Sequence, residues 1–362
     1  GTPAPNGYQD IYNLYKFIWP NKEIIPFKLF HLRDMSINPG DKRIETLIKS
    51  ISPFFLRIRK QDLSLPTPVE HPPISVKMGP EQRKIYDFIE KKYMGYFLEK
   101  DRRENFKSTV DKARVIRLMQ AATNPSLLKK PLEEYYREQG IEGSILIDDG
   151  DIMDSIKIYG SKEAPKKFEE IEKIVRSKLQ KDEKVLIWTI FVQNISDLQE
   201  YLGSKGIPSE AIFGQVPVDS GASEEEVLTR EKIINEFHKE DSRFKVLIAN
   251  PFSVSESISL HKACHAAIYL ERDFNAGRFI QSKDRIHRLG LLPTDIIEYY
   301  YLISEDSIDE AIHDRLKFKE RRMIRLIESQ DIPLFYNVDN EELADQDIRA
   351  IIQNYVRRTV KT

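Results

Sequence analysis

Several things are scarce or missing in these 362 residues, and each absence removes a class of function. Cys264 is the one cysteine, so no intrachain disulfide can form, and a reducing, cytoplasmic setting is expected. No run approaches the roughly 18 apolar residues that a membrane-spanning helix requires, and the N-terminus lacks the basic-then-apolar pattern of a secretory signal, so no membrane partner is expected. An initiator methionine is also missing, and Gly1 to Pro3 is expected to continue a preceding segment. No Gly-x-x-x-x-Gly-Lys-Ser/Thr occurs, so nothing supplies the loop of backbone N–H groups that cradles a nucleotide's phosphates. Nor does an apolar strand end in Asp-Glu to hold magnesium. Charge of one sign is missing too: 56 Lys and Arg against 58 Asp and Glu leave a net charge of −2. The whole chain is therefore not a general polyanion binder, and any nucleic-acid surface must be local.

What is present suits a globular chain of two domains: 40% apolar and 31% charged residues give enough core and a heavily charged helical surface. Residues 1–76 read as a small irregular segment, because prolines at 20, 53, 66, 68, 72 and 73 interrupt every periodic run. Residues 77–135 read as helical. Pro80 and Glu81 make a helix start, Ile85, Phe88, Ile89 and Tyr93 recur at helical spacing, and a second helix over Val110 to Ala122 ends near Asn124-Pro125. Residues 136–163 are acidic, carry Gly140, Gly143, Gly150 and Gly160, and read as a linker or surface loop. Asp148, Asp149, Asp151 and Asp154 there are either ligands for a hard divalent cation or a solvated acidic face.

Over residues 164–310 short apolar runs alternate with amphipathic helices. Val185 to Trp188, Val246 to Ala249, Ala267 to Leu270 and Ile296 to Leu302 are the strand candidates, with helices centred near 170, 198, 232 and 281. That order predicts an α/β fold with an open, mostly parallel sheet, whose ligands collect beyond the carboxyl ends of the strands. Residues 311–362 complete the chain as C-terminal helices. The first of these carries the densest basic cluster, Arg315, Lys317, Lys319, Arg321, Arg322 and Arg325, which is either a solvated face or a contact to nucleic-acid phosphates.

The sharpest chemical feature is Gln281-Ser-Lys-Asp-Arg285-Ile-His287-Arg288-Leu-Gly290. Two arginines three apart project from one face of a helix, where their fixed, fork-shaped charges meet a triphosphate or, in the bland reading, surface carboxylates. A rival constellation, His261, Cys264 and His265, offers three zinc-type ligands within five residues, but it has no evident fourth and leads into an apolar strand where a buried cysteine is ordinary.

The string from Gln281 to Gly290 resembles motif VI of superfamily-two helicases in the form used by SWI/SNF-type translocases. Other segments agree in order. Lys184 to Thr189 resembles motif IV, Arg230 to Phe237 the Arg-x-x-x-Ile-x-x-Phe helix before the next strand, and Ala249 to Leu260 occupies the place of motif V. Gly1-Thr2-Pro3, Asn6-Gly7, Leu14, Phe17 and Pro20 resemble motif III and its downstream helix. Phe54 to Lys60 with Leu65-Pro66 resembles the arginine-rich bridge between motor lobes. Met78, Gln82 and Tyr86 resemble the start of the helical insertion, and Gln120 to Leu127 its end. In motif V, Ser255 and Ser257 stand where the family carries glycines, so a close backbone approach is lost while hydroxyl donors are gained.

The resemblance implies a RecA-like second motor lobe with a helical insertion and the remnant of a first lobe, prokaryotic or viral in its wording. ATP and Mg2+ would be bound with a missing N-terminal ATP-binding lobe, and none to this chain alone, which explains the absent phosphate loop. It assigns Arg285 and Arg288 catalytic roles as arginine fingers, with Gln281, Gly290 and Glu256 beside them at ATP. It assigns Thr189, Asn250, Ser253, Ser255 and Ser257 to nucleic-acid contact. The implied partner is double-stranded DNA, with subunits of a defence or restriction system as further candidates. Two other readings stand beside the motor: a non-enzymatic docking or DNA-binding module of the same fold, and a fragment of an RNA helicase.

Overall fold

The computed structural model describes residues 7–38, 40–56, 58, 60–101, 108–129, 150–217, 228–253, 258–329 and 341–359. The chain divides into two compact units. One contains residues 1–64 with the short segments 275–277 and 316–346; the other contains residues 65–274, 278–315 and 347–362.

In the first unit, helices α1 (Tyr8–Ile18), α2 (Leu29–Ile37) and α3 (Arg43–Ile51) surround a core of their own. Tyr8, Ile11, Tyr15, Ile25, Leu32, Met35, Leu47 and Ile51 are buried together in it. Ser36 Oγ accepts from the Tyr8 N–H at 2.9 Å and ties the start of α1 to α2. The prolines punctuate helices here instead of preventing them, since Pro20 follows α1 and Pro53 follows α3, where no further helical N–H is needed.

The second unit is built on a parallel sheet, seven strands among the described residues: β1 (Val69–Glu70), β2 (Ile74–Val76), β3 (Val185–Trp188), β4 (Ser209–Ile212), β5 (Val246–Ala249), β6 (Ala266–Tyr269) and β7 (Glu298–Ser304). The order is β1-β7-β6-β3-β5-β4, with β2 also pairing on β7. Helices α7 (Lys166–Leu179), α8 (Val192–Ser204), α9 (Arg230–His238) and α10 (Ala276–Lys283) connect or precede the strands. β3, β5 and β6 are buried at every position, which is why they read as continuous apolar runs and not as alternating ones. Their register sets Trp188 beside Ala249 and Tyr269, so the residues that follow, Thr189, Asn250 and Leu270, emerge at one level of the sheet.

A second core in the same unit joins α4 (Pro80–Asp101), α5 (Ser108–Thr123), α6 (Gly150–Lys162), the first turn of α11 (Ile308–Ser329) and α12 (Glu341–Thr359). Gln82 Nε2 donates to the Ala121 and Ala122 carbonyls at 3.1 and 2.8 Å, and the Glu163 carboxylate accepts from the N–H groups of Glu81 and Gln82, capping α4. The Tyr86 and Tyr355 hydroxyls meet at 2.7 Å.

Two expectations change. Residues 150–162 form α6 and not a linker, because Ile152, Ile156 and Tyr159 recur at helical spacing and are buried, whatever the acidity around them. Of the four aspartates there, Asp148 and Asp149 lie outside the described residues, and Asp154 pairs with Lys157 at 3.2 Å. Residues 65–76 are not part of the first unit: they carry β1 and β2 on the β7 edge, with Pro72 and Pro73 at the break between them.

Candidate functional site

The motif residues divide between the two ends of the sheet. Thr189, Asn250 and Ser253 follow the carboxyl ends of β3 and β5, whereas the turn of Arg285 and Arg288 is bonded to Pro66 ahead of β1 and to Leu260 ahead of β6, at the amino end, and not beyond the carboxyl ends where ligands are expected. Helix α10 ends at Lys283, so Arg285 and Arg288 do not share a helix face; they sit in the tight turns that follow. Those turns are loose helical winding, with Arg285 N–H reaching the Ser282 carbonyl at 3.3 Å and His287 N–H the Lys283 carbonyl at 3.2 Å.

The turn is held at several points. Ile286 is fully buried beneath it. His287 Nε2 bonds the Pro66 carbonyl at 2.9 Å. The Arg285 carbonyl accepts from the Leu260 N–H at 2.9 Å, while Arg285 Nη1 donates to the Ile258 carbonyl at 3.3 Å. Arg285 is thus committed to the end of the motif V segment, at Ile258 and Leu260. Arg288 is different: it is exposed and makes no ion pair among the described residues. Gly290 closes the turn at φ +108°, a conformation L side chains rarely adopt. Gln281 lies exposed on α10. An exposed arginine held on a fixed turn is suited to an anionic group such as phosphate.

Thr189 and Asn250, expected at nucleic acid, are completely buried and their side chains are engaged inside the protein. Thr189 Oγ1 donates to Glu271 Oε1 at 2.6 Å. Asn250 Nδ2 donates to the Ile190 carbonyl at 3.1 Å and its Oδ1 accepts from the Phe252 N–H at 2.8 Å, fixing the turn after β5. These two side chains shape the sheet's end and do not present themselves to a ligand. Ser253 is half-buried on that turn; Ser255, Glu256 and Ser257 lie outside the described residues.

Arg230, the first residue of α9, organises this region. Its guanidinium donates to four carbonyls: Val216 at 2.9 Å, Ser253 at 2.9 Å, and Phe213 and Gly214 at 3.3 Å. It ties the loop after β4 to the turn after β5. Glu271, just beyond β6, escaped sequence reasoning because an acidic residue after a strand carries no period. It is buried, Oε1 also receives Asn194 Nδ2 at 3.2 Å, and Oε2 has no hydrogen-bond partner among the described residues. Burial pushes its carboxyl up to about 7, against the hydrogen bonds from Thr189 and Asn194 and the charge of Lys167.

The zinc reading loses its ligands to other bonds. His261 Nδ1 meets Ser259 Oγ at 2.8 Å, His265 Nε2 meets the His261 carbonyl at 2.9 Å, and the Cys264 thiol is buried, directed at the Lys184 and Ala266 carbonyls and pushed up to about 12 by desolvation. Among the described residues no group of three or more His, Cys, Asp or Glu is placed to hold a metal ion. No helix of the described residues is long and apolar enough to cross a membrane. A cleft of ≈ 530 Å³ lies among α5, α6, α7 and α8, lined by Tyr159, Phe168, Phe191 and Asp197; no residue of the arginine turn lines it.

On the basic cluster, Arg315 pairs with Asp347 at 2.8 Å and Lys317 with Glu320 at 2.9 Å, while Arg321, Arg322 and Arg325 are exposed and make no ion pair among the described residues.

Known families match two parts of this chain. Residues 1–127 match the SNF2-related domain, and residues 166–290 match the helicase conserved C-terminal domain. Among curated proteins, the chain is similar to Chromodomain-helicase-DNA-binding protein 6 of Rattus norvegicus, 22% identical over 324 residues, and to its Homo sapiens counterpart, 24% over 328. Each alignment covers 88% of this chain and 11% of the relative, so the chain spans about a tenth of the relatives' length. Among solved structures, the C-terminal part of the Fun30 ATPase domain aligns with a TM-score of 0.53 at 19% identity, over 80% of this chain and 98% of that one. That likeness establishes the RecA-like α/β fold.

Proposed function

We propose that this chain is the second-lobe half of an ATP-driven motor of the SWI/SNF type that moves along double-stranded DNA, completed by a lobe that holds the nucleotide's phosphates. One observation carries the reading: Arg288 stands exposed and without an ion pair among the described residues, on a turn anchored by Ile286, His287 and Arg285 at the amino end of a parallel sheet. The two domain matches, in the order found, support it.

ATP with Mg2+, bound on the other lobe, supplies the phosphoryl group and the charge that builds as it departs. The residues here do the rest. Arg288 presents a fixed fork of positive charge to that group, and Arg285 anchors the turn from below through the Ile258 and Leu260 backbone. Gly290 lets the chain leave the turn without a side chain in the way. DNA is proposed from the names of the similar proteins and from the exposed Arg321, Arg322 and Arg325, which make no ion pair among the described residues, suit backbone phosphates and read no base.

The test is binding of labelled duplex by the chain across ionic strength, together with phosphate release by the two-lobe protein with duplex DNA, single strands and RNA. Weak, salt-sensitive, sequence-independent duplex binding and turnover stimulated most by duplex support the reading. Affinity indifferent to salt, or stimulation by RNA alone, overturns it.

A further inference from the structure

His261 is distant from the arginine turn in sequence and in contact with it in space. His261 is only 8% exposed, Nδ1 is taken by Ser259 Oγ at 2.8 Å, and Nε2 has no hydrogen-bond partner among the described residues. That unpartnered edge faces Gly290: a Cβ on Gly290 would come within 2.9 Å of Nε2 and 3.6 Å of Cδ2. Ring and glycine are therefore complementary, and together they close the turn two residues past Arg288. The backbone around the ring is braced as well. The Ser259 carbonyl meets His238 Nε2 at 3.0 Å, the His261 carbonyl meets His265 Nε2 at 2.9 Å, and the Leu260 N–H donates to Arg285.

We propose that His261 is a positioning residue for Arg288: the neutral ring fills the space beneath Gly290 and fixes the direction in which Arg288 leaves the turn, and a proton on the ring displaces the arginine. The inference rests on the reading of Arg288 as the residue that meets nucleotide phosphate. Its physics is local. An imidazolium has two N–H donors, and with Nδ1 at Ser259 the second would have no acceptor at Nε2 among the described residues. Burial is costly for such a charge. The groups that act on the ring electrostatically are Arg288 on the turn, Lys262 and His265 on its own segment and His238 at the end of α9, all basic. Burial first, then these charges, hold the imidazole below the ordinary histidine value. Repulsion is mutual, so a charged ring drives Arg288 outward.

Two measurements test this. Imidazole NMR on the full chain follows His261 through its titration in the wild type and in Arg288→Ala, which alters only an exposed side chain. The expected result is an upward move of the His261 titration in the variant; superimposable curves overturn the coupling. The second measurement is the pH profile of ATP turnover in the two-lobe protein carrying His261→Asn, whose amide keeps a partner for Ser259 and cannot take the proton. Misdirecting the arginine is expected to lower kcat about 10²-fold, with KM for ATP little changed and the acidic fall in turnover removed. Wild-type kcat with an unaltered acidic limb in this variant, beside a silent Arg288→Ala, overturns the positioning role and leaves the reading of Arg288 intact. Wild-type turnover in Arg288→Ala overturns both.

Discussion

The Lys167 ammonium, buried at the start of α7, donates to the Asp309 carboxylate at 2.6 Å at the start of α11. The same ammonium reaches the Leu270 carbonyl at 3.3 Å and Thr123 Oγ1 at 3.4 Å, and Asp309 also accepts from the Ser304 N–H at 3.0 Å. One ion pair thus joins the helical core at α5 to the ends of β6 and β7. Lys167→Met leaves the aspartate buried and unpaired, which costs about 3–5 kcal/mol. Pairing it with Asp309→Leu removes the orphaned charge and is expected to restore much of that loss. Denaturant unfolding of the single and double variants checks this; equal destabilisation of both contradicts it.

Glu271 gives stability a specific pH dependence. Its carboxyl is held near 7 in the folded chain against 4.5 when unfolded, so the folded state binds the proton more tightly. The stabilisation is complete below pH 4.5, is lost as pH rises from there to about 7, and does not change further above that. Each pH unit of that window is worth about 1.4 kcal/mol. Glu271→Gln keeps acceptor and donor at the site without the charge. It is expected to flatten this part of the profile and to be more stable than the wild type at pH 8. A parallel profile in the variant would contradict the assignment.

Arg230 holds the loop after β4 and the turn after β5 through four carbonyls. Arg230→Ala is expected to cost about 2 kcal/mol, since hydrogen bonds from a charged donor are the stronger kind. Lysine restores little, because one ammonium cannot span the same set of carbonyls. Hydrogen exchange reads the effect directly: faster exchange at residues 213–217 and 250–253, with β3 and β6 unchanged, is the expected pattern, and uniform protection refutes it.

The parts legible in the sequence were those with a period. β3 and β5 follow from apolar runs at every position, and α4 from the spacing of Ile85, Ile89 and Tyr93. β4, Ser209–Ile212, was missed because two of its four residues are only half-buried at the sheet's edge, so it shows neither a full apolar run nor alternation. β1 and β2 are too short for any period, and prolines surround them. At the site, Arg285, Arg288 and Gly290 stood out as a string, but their placement beyond the end of α10 did not, since a three-residue spacing fits a helix and a tight turn alike. The resemblance assigns Thr189 and Asn250 to nucleic-acid contact; both are buried, with side chains bonded to Glu271 and to the Ile190 carbonyl, which no local pattern connects to them. Glu271 and His261 act through residues far along the chain, and such pairings appear only in the fold.

The central claim is that Arg288 acts on departing phosphate, and steady-state ATP turnover of the two-lobe protein with Arg288→Ala and Arg288→Lys tests it most directly. An arginine finger is worth about 10³–10⁵ in rate. The alanine variant is expected to lose turnover on that scale, lysine to recover little of it, and duplex affinity to stay near the wild-type value. A residue that served only the surface would cost about 0–1 kcal/mol of stability and leave turnover intact. Wild-type turnover in Arg288→Ala, with normal folding and duplex binding, contradicts the account.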